Sequence, residues 1–126
     1  MACAAALASI EVIEGEQILE NVRTVGDFFM RRMERMKADH PIIGDVKGKG
    51  FLLGIELVKD KKTKEPFPEA GVSVYQKAFR KGLAWIPAGH ILRMSPPLIM
   101  DEHYASMGMD IIEDAIAKTE KEFGYR

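Results

Sequence analysis

Apolar positions recur along this chain with two periods, and the points where one replaces the other divide it into elements. Ala2–Val12 contains no helix breaker and is built on alanine, the strongest helix former, with Leu7, Ile10 and Ile13 at helical spacing. Glu14-Gly15-Glu16 interrupts that phase and predicts a kink or break. Beyond it, Ile18, Val22, Val25, Phe29, Met33 and Met36 step by three or four. Glu20, Arg23, Asp27, Arg31 and Glu34 occupy the other face of the same predicted helix. This helix should end near His40, because Pro41 disfavours helical backbone in the residue before it. Ile42–Lys49 leads into the strongest strand pattern. There Phe51, Leu53, Ile55 and Leu57 alternate with Leu52, Gly54, Glu56 and Val58, giving one heavy face and one light face.

The second half is more broken. Asp60–Glu65 reads as a solvated turn, closed by Pro66-Phe67-Pro68. Val72, Tyr75 and Phe79 mark a third helix, with Gly82 placed as its C′ residue. Leu83–Ile86 and Ile91–Ser95 read as two short strands around Pro87–His90, close enough in sequence to pair as a hairpin. Asp101 is a suitable N-cap for a last helix, along which Tyr104, Gly108, Ile111, Ala115 and Thr119 line up. The order helix, helix, strand, helix, strand, strand, helix predicts an α+β fold. It implies a small, mainly antiparallel sheet with helices packed on one face. The Ala-rich first helix is apolar almost all round, which signals burial on more than one side. Nothing else in the chain is large enough to cover it, so it is expected to form half of an interface.

Composition narrows the class. The 126 residues are 47% hydrophobic and 29% charged with net charge −1, which suits one globular domain spanning residues 1–126. Near-neutral charge without a basic cluster argues against nucleic acid or an anionic membrane as partner. The single cysteine, Cys3, excludes an internal disulfide and fits a reducing compartment. Lying among alanines, it is expected to be a small buried residue. No apolar run reaches membrane-spanning length and no basic leader precedes the first apolar stretch, so a cytoplasmic location is expected.

Few residues carry candidate chemistry. Gly48-Lys49-Gly50 and Gly54 precede and enter a strand rather than open a helix, so they suit a bulge or close backbone approach better than a phosphate cradle. His40, His90 and His103 lack metal-ligand spacing. No lysine lies in an apolar, pocket-like context that would depress its pKa for Schiff-base work. Arg93 is the only charge within Ile91–Ser95, a strand that Pro96 and Pro97 close because neither has an N–H to give. A guanidinium is costly to bury unless a carboxylate or phosphate meets its fork of donors. From spacing alone, a structural ion pair and a ligand contact are equally good readings of Arg93.

Three blocks resemble a known family. Ala2-Cys3-Ala4-Ala5-Ala6-Leu7-Ala8 followed by Glu11-Val12-Ile13-Glu14 is similar to the helix that enters the small domain of class III, pyridoxal-phosphate-dependent aminotransferases. Gly44-Asp45-Val46-Lys47-Gly48-Lys49-Gly50 through Leu53-Gly54-Ile55-Glu56-Leu57-Val58 resembles the next block, and Ile91-Leu92-Arg93-Met94-Ser95-Pro96-Pro97-Leu98 the third. They occur in the family's order and cover essentially the whole chain. The overall flavour is that of the 4-aminobutyrate and other ω-amino-acid branch.

The resemblance implies that residues 1–126 are the C-terminal small domain of a fold-type-I aminotransferase that is a homodimer when complete. It moves an amino group between an amino donor and a 2-oxo acid. The cofactor, pyridoxal 5′-phosphate, is held by a lysine, an aspartate and a threonine of a large domain upstream of Met1, so none of these is assigned here and the chain alone is expected to be inactive. Arg93 matches the family arginine that pairs with the substrate carboxylate. The alternative is a stand-alone α+β module that binds amino acids through Arg93. An all-round apolar first helix argues against it.

Overall fold

In the computed structural model, which describes residues 1–125, helix α1 covers Ala2–Gly15 and helix α2 covers Ile18–Asp39. The interruption at Glu14-Gly15-Glu16 is a true break: α1 ends at Gly15 and Gln17 turns through a left-handed conformation, φ 51°. His40, extended as Pro41 requires, closes α2. Ile18, Val25, Phe29, Met33 and Met36 are buried, so the helical spacing identified the core face of α2. No residue of α1 is buried. Cys3 is therefore exposed rather than buried, because it stands in the first turn of a helix in which no residue is buried.

Strand β1, Ile43–Lys49, was not legible as a strand. Gly44, Asp45, Lys47, Gly48 and Lys49 give no apolar alternation, and β1 exists because it pairs antiparallel with β2, Leu52–Leu57. Lys49 lies opposite Leu52, leaving a two-residue turn in which Gly50 has φ +57°, a positive angle that a tight hairpin turn requires and glycine supplies without strain. The register shifts between Ile43 and Asp45, so the glycine bulge is at Gly44. The middle of α2 rests on this hairpin: a Cβ on Gly26 would lie 2.7 Å from the Gly50 carbonyl oxygen.

Strand β3, Ile91–Met94, pairs antiparallel with β2, giving the sheet order β1-β2-β3. The expected hairpin between Leu83–Ile86 and the Ile91 strand does not form; residues 83–86 are in no strand. Two contacts explain the difference. The Leu83 N–H donates to the Ala78 carbonyl, closing the C-terminus of helix α3 (Pro68–Arg80) with Gly82 at φ +87°. The chain before β3 also folds back on itself, the Ile91 N–H donating to Ala88. Meanwhile β2 offers β3 an apolar match, Leu53 with Met94 and Ile55 with Leu92.

One face of the sheet is therefore core. Leu53, Ile55, Leu57, Leu92 and Met94 are buried on it, whereas Leu52, Ile91 and Arg93 are exposed on the other. α2 packs on β1, α3 on β2 and β3, and helix α4, Glu102–Glu122, lies against α2 and α3. The architecture is the α+β fold expected. Small residues turn inward on α3: Ala70, Val74 and Ala78 are buried, while Val72 and Phe79 are exposed. The large apolar residues that mark α3 thus lie off its core face, because only small side chains let it approach so closely. A Cβ on Gly71 would sit 1.9 Å from the Gly89 carbonyl oxygen.

On α4 the core stripe is Ala105, Met109, Ile112, Ala115, Ile116 and Thr119: of the expected line, Ala115 and Thr119 are buried, while Tyr104, Gly108 and Ile111 each lie one position before a buried residue. The Asp101 carboxylate accepts from the Tyr104 N–H at 2.9 Å, as its N-cap position predicts. Polar contacts tie α4 to α2. Arg32 bridges Asp110 (2.6 Å) and Glu113 (2.5 Å), and buried His40 meets buried Glu120, Nδ1 to Oε2, at 2.9 Å. No helix is long and apolar enough to cross a membrane among the described residues.

Candidate functional site

Arg93 stands at the centre of β3 with its position fixed from both ends. Upstream, the Ala88–Ile91 turn is pressed against α3 by the Gly71–Gly89 contact. Downstream, Pro96 and Pro97 end the ladder. Leu92 and Met94 anchor the strand in the core, so by alternation Arg93 projects from the open face. It is exposed there, and its guanidinium makes no hydrogen bond or ion pair with any described residue.

The other charges on that face are engaged elsewhere. Opposite Ile91 lies Glu56, whose carboxylate is 3.7 Å from Lys47 Nζ and 3.8 Å from His90 Nε2. Lys47 is also 3.6 Å from Asp45. Asp45 accepts from Lys37 at 2.8 Å, and chiefly that hydrogen bond holds its carboxyl below the usual carboxylate range. The residue facing Arg93 across the ladder is Gly54, and Lys47 lies beyond Gly54 on β1. Arg93 is thus a planar five-donor group on a rigid strand, on a face whose acids already have cations beside them. Such a group can take a carboxylate by two parallel hydrogen bonds.

Beside β3, between residues 82–86 and α4, lies a cavity of about 510 Å³. Leu83, Trp85, Met94, Met100 and Tyr104 give it an apolar and aromatic lining, and Arg93 is the charged residue among its walls. Trp85 and Tyr104 were not singled out from the sequence as residues that would line a cavity. Trp85 fell in an apolar run read as strand, and Tyr104 in the line of residues along the last helix. No lysine lines this cavity.

The remaining candidates fall apart in space or become structural. Gly50 makes the hairpin turn, and Gly48 is kept small by Leu53, whose Cδ2 would lie 2.6 Å from an added Cβ. His40 is the buried cap of α2, His90 sits in the turn before β3, and His103 opens α4. No group of three or more histidine, cysteine or acidic residues could hold a metal ion among the described residues.

The family profile for class-III aminotransferases matches residues 1–116. The (R)-1-hydroxy-2-aminoethylphosphonate ammonia-lyase of Vibrio splendidus is 42% identical over 125 residues, which is 98% of this chain and 26% of that protein. The adenosylmethionine-8-amino-7-oxononanoate aminotransferase of Methanocaldococcus jannaschii is 38% identical over 122 residues, 94% of this chain and 26% of its own length. In structure, an amine transaminase from an uncultivated Pseudomonas species, crystallised in a PLP-bound form, matches with a TM-score of 0.88 and 30% identity over 94% of this chain and 27% of that one. The chain spans about a quarter of the length of the curated relatives it matches.

Proposed function

The chain belongs to the class-III aminotransferases, and from that premise we propose that it is the C-terminal small domain of a pyridoxal-phosphate-dependent aminotransferase, with Arg93 as its substrate-carboxylate ligand. The observation that carries the proposal is Arg93 itself, an exposed guanidinium on an anchored strand without an acidic partner among the described residues. A structural ion pair would have given it one. Its fork binds and orients the carboxylate of an α-amino acid or 2-oxo acid, and the strand keeps that orientation from one substrate to the next. The amino donors are ω-amino acids, 4-aminobutyrate among them, and the acceptor is a 2-oxo acid.

Pyridoxal phosphate, bound through residues outside this chain, supplies the electron sink for amino-group transfer. The large domain of the same enzyme covers α1, and the complete enzyme is a homodimer. What supports a large-domain partner is the bare helix: Leu7 and Ile10 are more than half exposed, at 63% and 51%. The test compares the complete enzyme with the chain alone. The enzyme should transfer amino groups from an ω-amino acid to a 2-oxo acid, while the chain with added pyridoxal phosphate should not exceed the free cofactor. A complete enzyme that transfers no amino group to any 2-oxo acid would overturn the proposal. So would a chain that is active alone with a single borohydride-fixed cofactor adduct.

A second expected result concerns α1 by itself. With its apolar surface uncovered, the isolated chain should self-associate through this helix. Light scattering should report more than a monomer, and Leu7→Glu with Ile10→Gln should restore one. An unchanged monomeric mass for both proteins would count against this.

A further inference from the structure

Gly54 lies inside β2, where glycine weakens a strand relative to alanine because it gives up more freedom on folding and brings no side chain to pack. Three structural needs justify a glycine at such a place: a positive φ, a bulge, or a backbone approach too close for a Cβ. Gly54 meets none of them within this chain. The glycines with positive φ are Gly50, Gly82, Gly89 and Gly124. The register shift in the sheet is at Ile43/Asp45, and the β2–β3 ladder runs through Gly54 without one. A Cβ on Gly54 would touch only Ile91 Cγ2, at 3.7 Å, an ordinary contact. By contrast, Gly26, Gly44, Gly48 and Gly71 would each bring a Cβ within 3.0 Å of a neighbour.

The reason for this glycine therefore lies outside the packing of the chain, and its position says where. Gly54 is the cross-strand partner of Arg93 and shares its open face. On the other side of Gly54, Lys47 leans toward Asp45 and Glu56, at 3.6 and 3.7 Å. The row Lys47–Gly54–Arg93 thus has a gap at its centre, flanked by the guanidinium. With neighbouring strands about 4.8 Å apart, a branched side chain at position 54 would stand against the Arg93 stem. We propose that Gly54 is a specificity-determining residue: its missing side chain keeps the open face beside Arg93 clear, so that a carboxylate-bearing substrate reaches the fork in plane. This rests on the reading of Arg93 as the carboxylate ligand.

The test uses the complete enzyme carrying Gly54→Ala, Gly54→Val and Gly54→Leu. Alanine should change KM for the 2-oxo acid by less than about threefold, since a single methyl leaves the fork accessible. Valine and leucine should raise it by about tenfold or more, the scale of one lost charge-assisted hydrogen bond. The half-reaction with an amine that bears no carboxylate should be unaffected. Thermal unfolding should be unchanged or shifted upward, because valine favours strands. In an Arg93→Ala background, Gly54→Leu should add no further loss toward the 2-oxo acid. Wild-type kinetics for Gly54→Leu alongside a carboxylate-selective loss for Arg93→Ala would overturn this inference and leave the Arg93 reading standing. Equal losses on every substrate, or full additivity in the double variant, would also overturn it. If Arg93→Ala itself spares carboxylate substrates, the underlying reading fails first, and this inference with it.

Discussion

Arg93→Ala in the complete enzyme should lower kcat/KM by about ten- to a hundredfold for 2-oxo acids and α-amino acids. The magnitude follows from the bond type. Charge-assisted hydrogen bonds to a carboxylate contribute about 1.5–3 kcal/mol, and about 1.4 kcal/mol is tenfold in rate. Arg93→Lys should recover only part of the loss, because an ammonium is a point charge and cannot meet both carboxylate oxygens in one plane. Amines that present no carboxylate to this side should lose far less. Stability should change little, since the Arg93 side chain is exposed and pairs with no described residue. These expectations separate a ligand contact from a structural one. Equal losses for all substrates together with a lower Tm would return Arg93 to a structural role.

The largest stability effect should come from Gly71→Ala. The added methyl carbon would lie 1.9 Å from the Gly89 carbonyl oxygen, and neither partner is a side chain that can swing away. α3 and the turn before β3 must move apart, which also loosens the small-residue packing at Ala70, Val74 and Ala78. Overpacking costs about 1–3 kcal/mol and a backbone clash sits at the top of that range. For a chain of this size, Tm should fall by on the order of 10 °C. Gly15→Ala is the matched control: nothing lies within 4 Å of its added Cβ, so it should be neutral or slightly stabilising. The same shift of the turn moves the start of β3, so Gly71→Ala should also weaken carboxylate binding at Arg93. An unchanged Tm for Gly71→Ala would mean that the contact relaxes without cost.

Where one residue's environment repeats along an element, the sequence was legible. α2 and β2 have a single buried face each, and Val25, Phe29, Met33 and Met36 or Leu53, Ile55 and Leu57 announce it through spacing alone. Where an element exists because of a partner, spacing said little. β1 is stabilised by its ladder to β2 rather than by its own pattern, and Leu83–Ile86 is claimed by the α3 cap and the cavity wall instead of by β3. α3 inverts the usual signal, since close approach selects its small residues for the core and leaves Phe79 outside. Arg93 was legible as a charge in an apolar strand. Which way it faced, and that its guanidinium pairs with no acid among the described residues, depended on the register with β2.

The strand order leaves β3 with one side that no described strand covers, and that has a bearing on solubility. An uncovered strand of apolar residues is a template for adding another chain, and natural sheets blunt such edges with charge. The opposite edge, β1, carries Asp45, Lys47 and Lys49. In β3, Ile91-Leu92-Arg93-Met94, the guanidinium is the sole charge. Arg93 is therefore the gatekeeper of this edge as well as the candidate ligand. Arg93→Ala removes both roles at once, whereas Arg93→Lys keeps the charge and loses only the fork. Turbidity measured on the two variants separates loss of the gatekeeper from loss of the clamp.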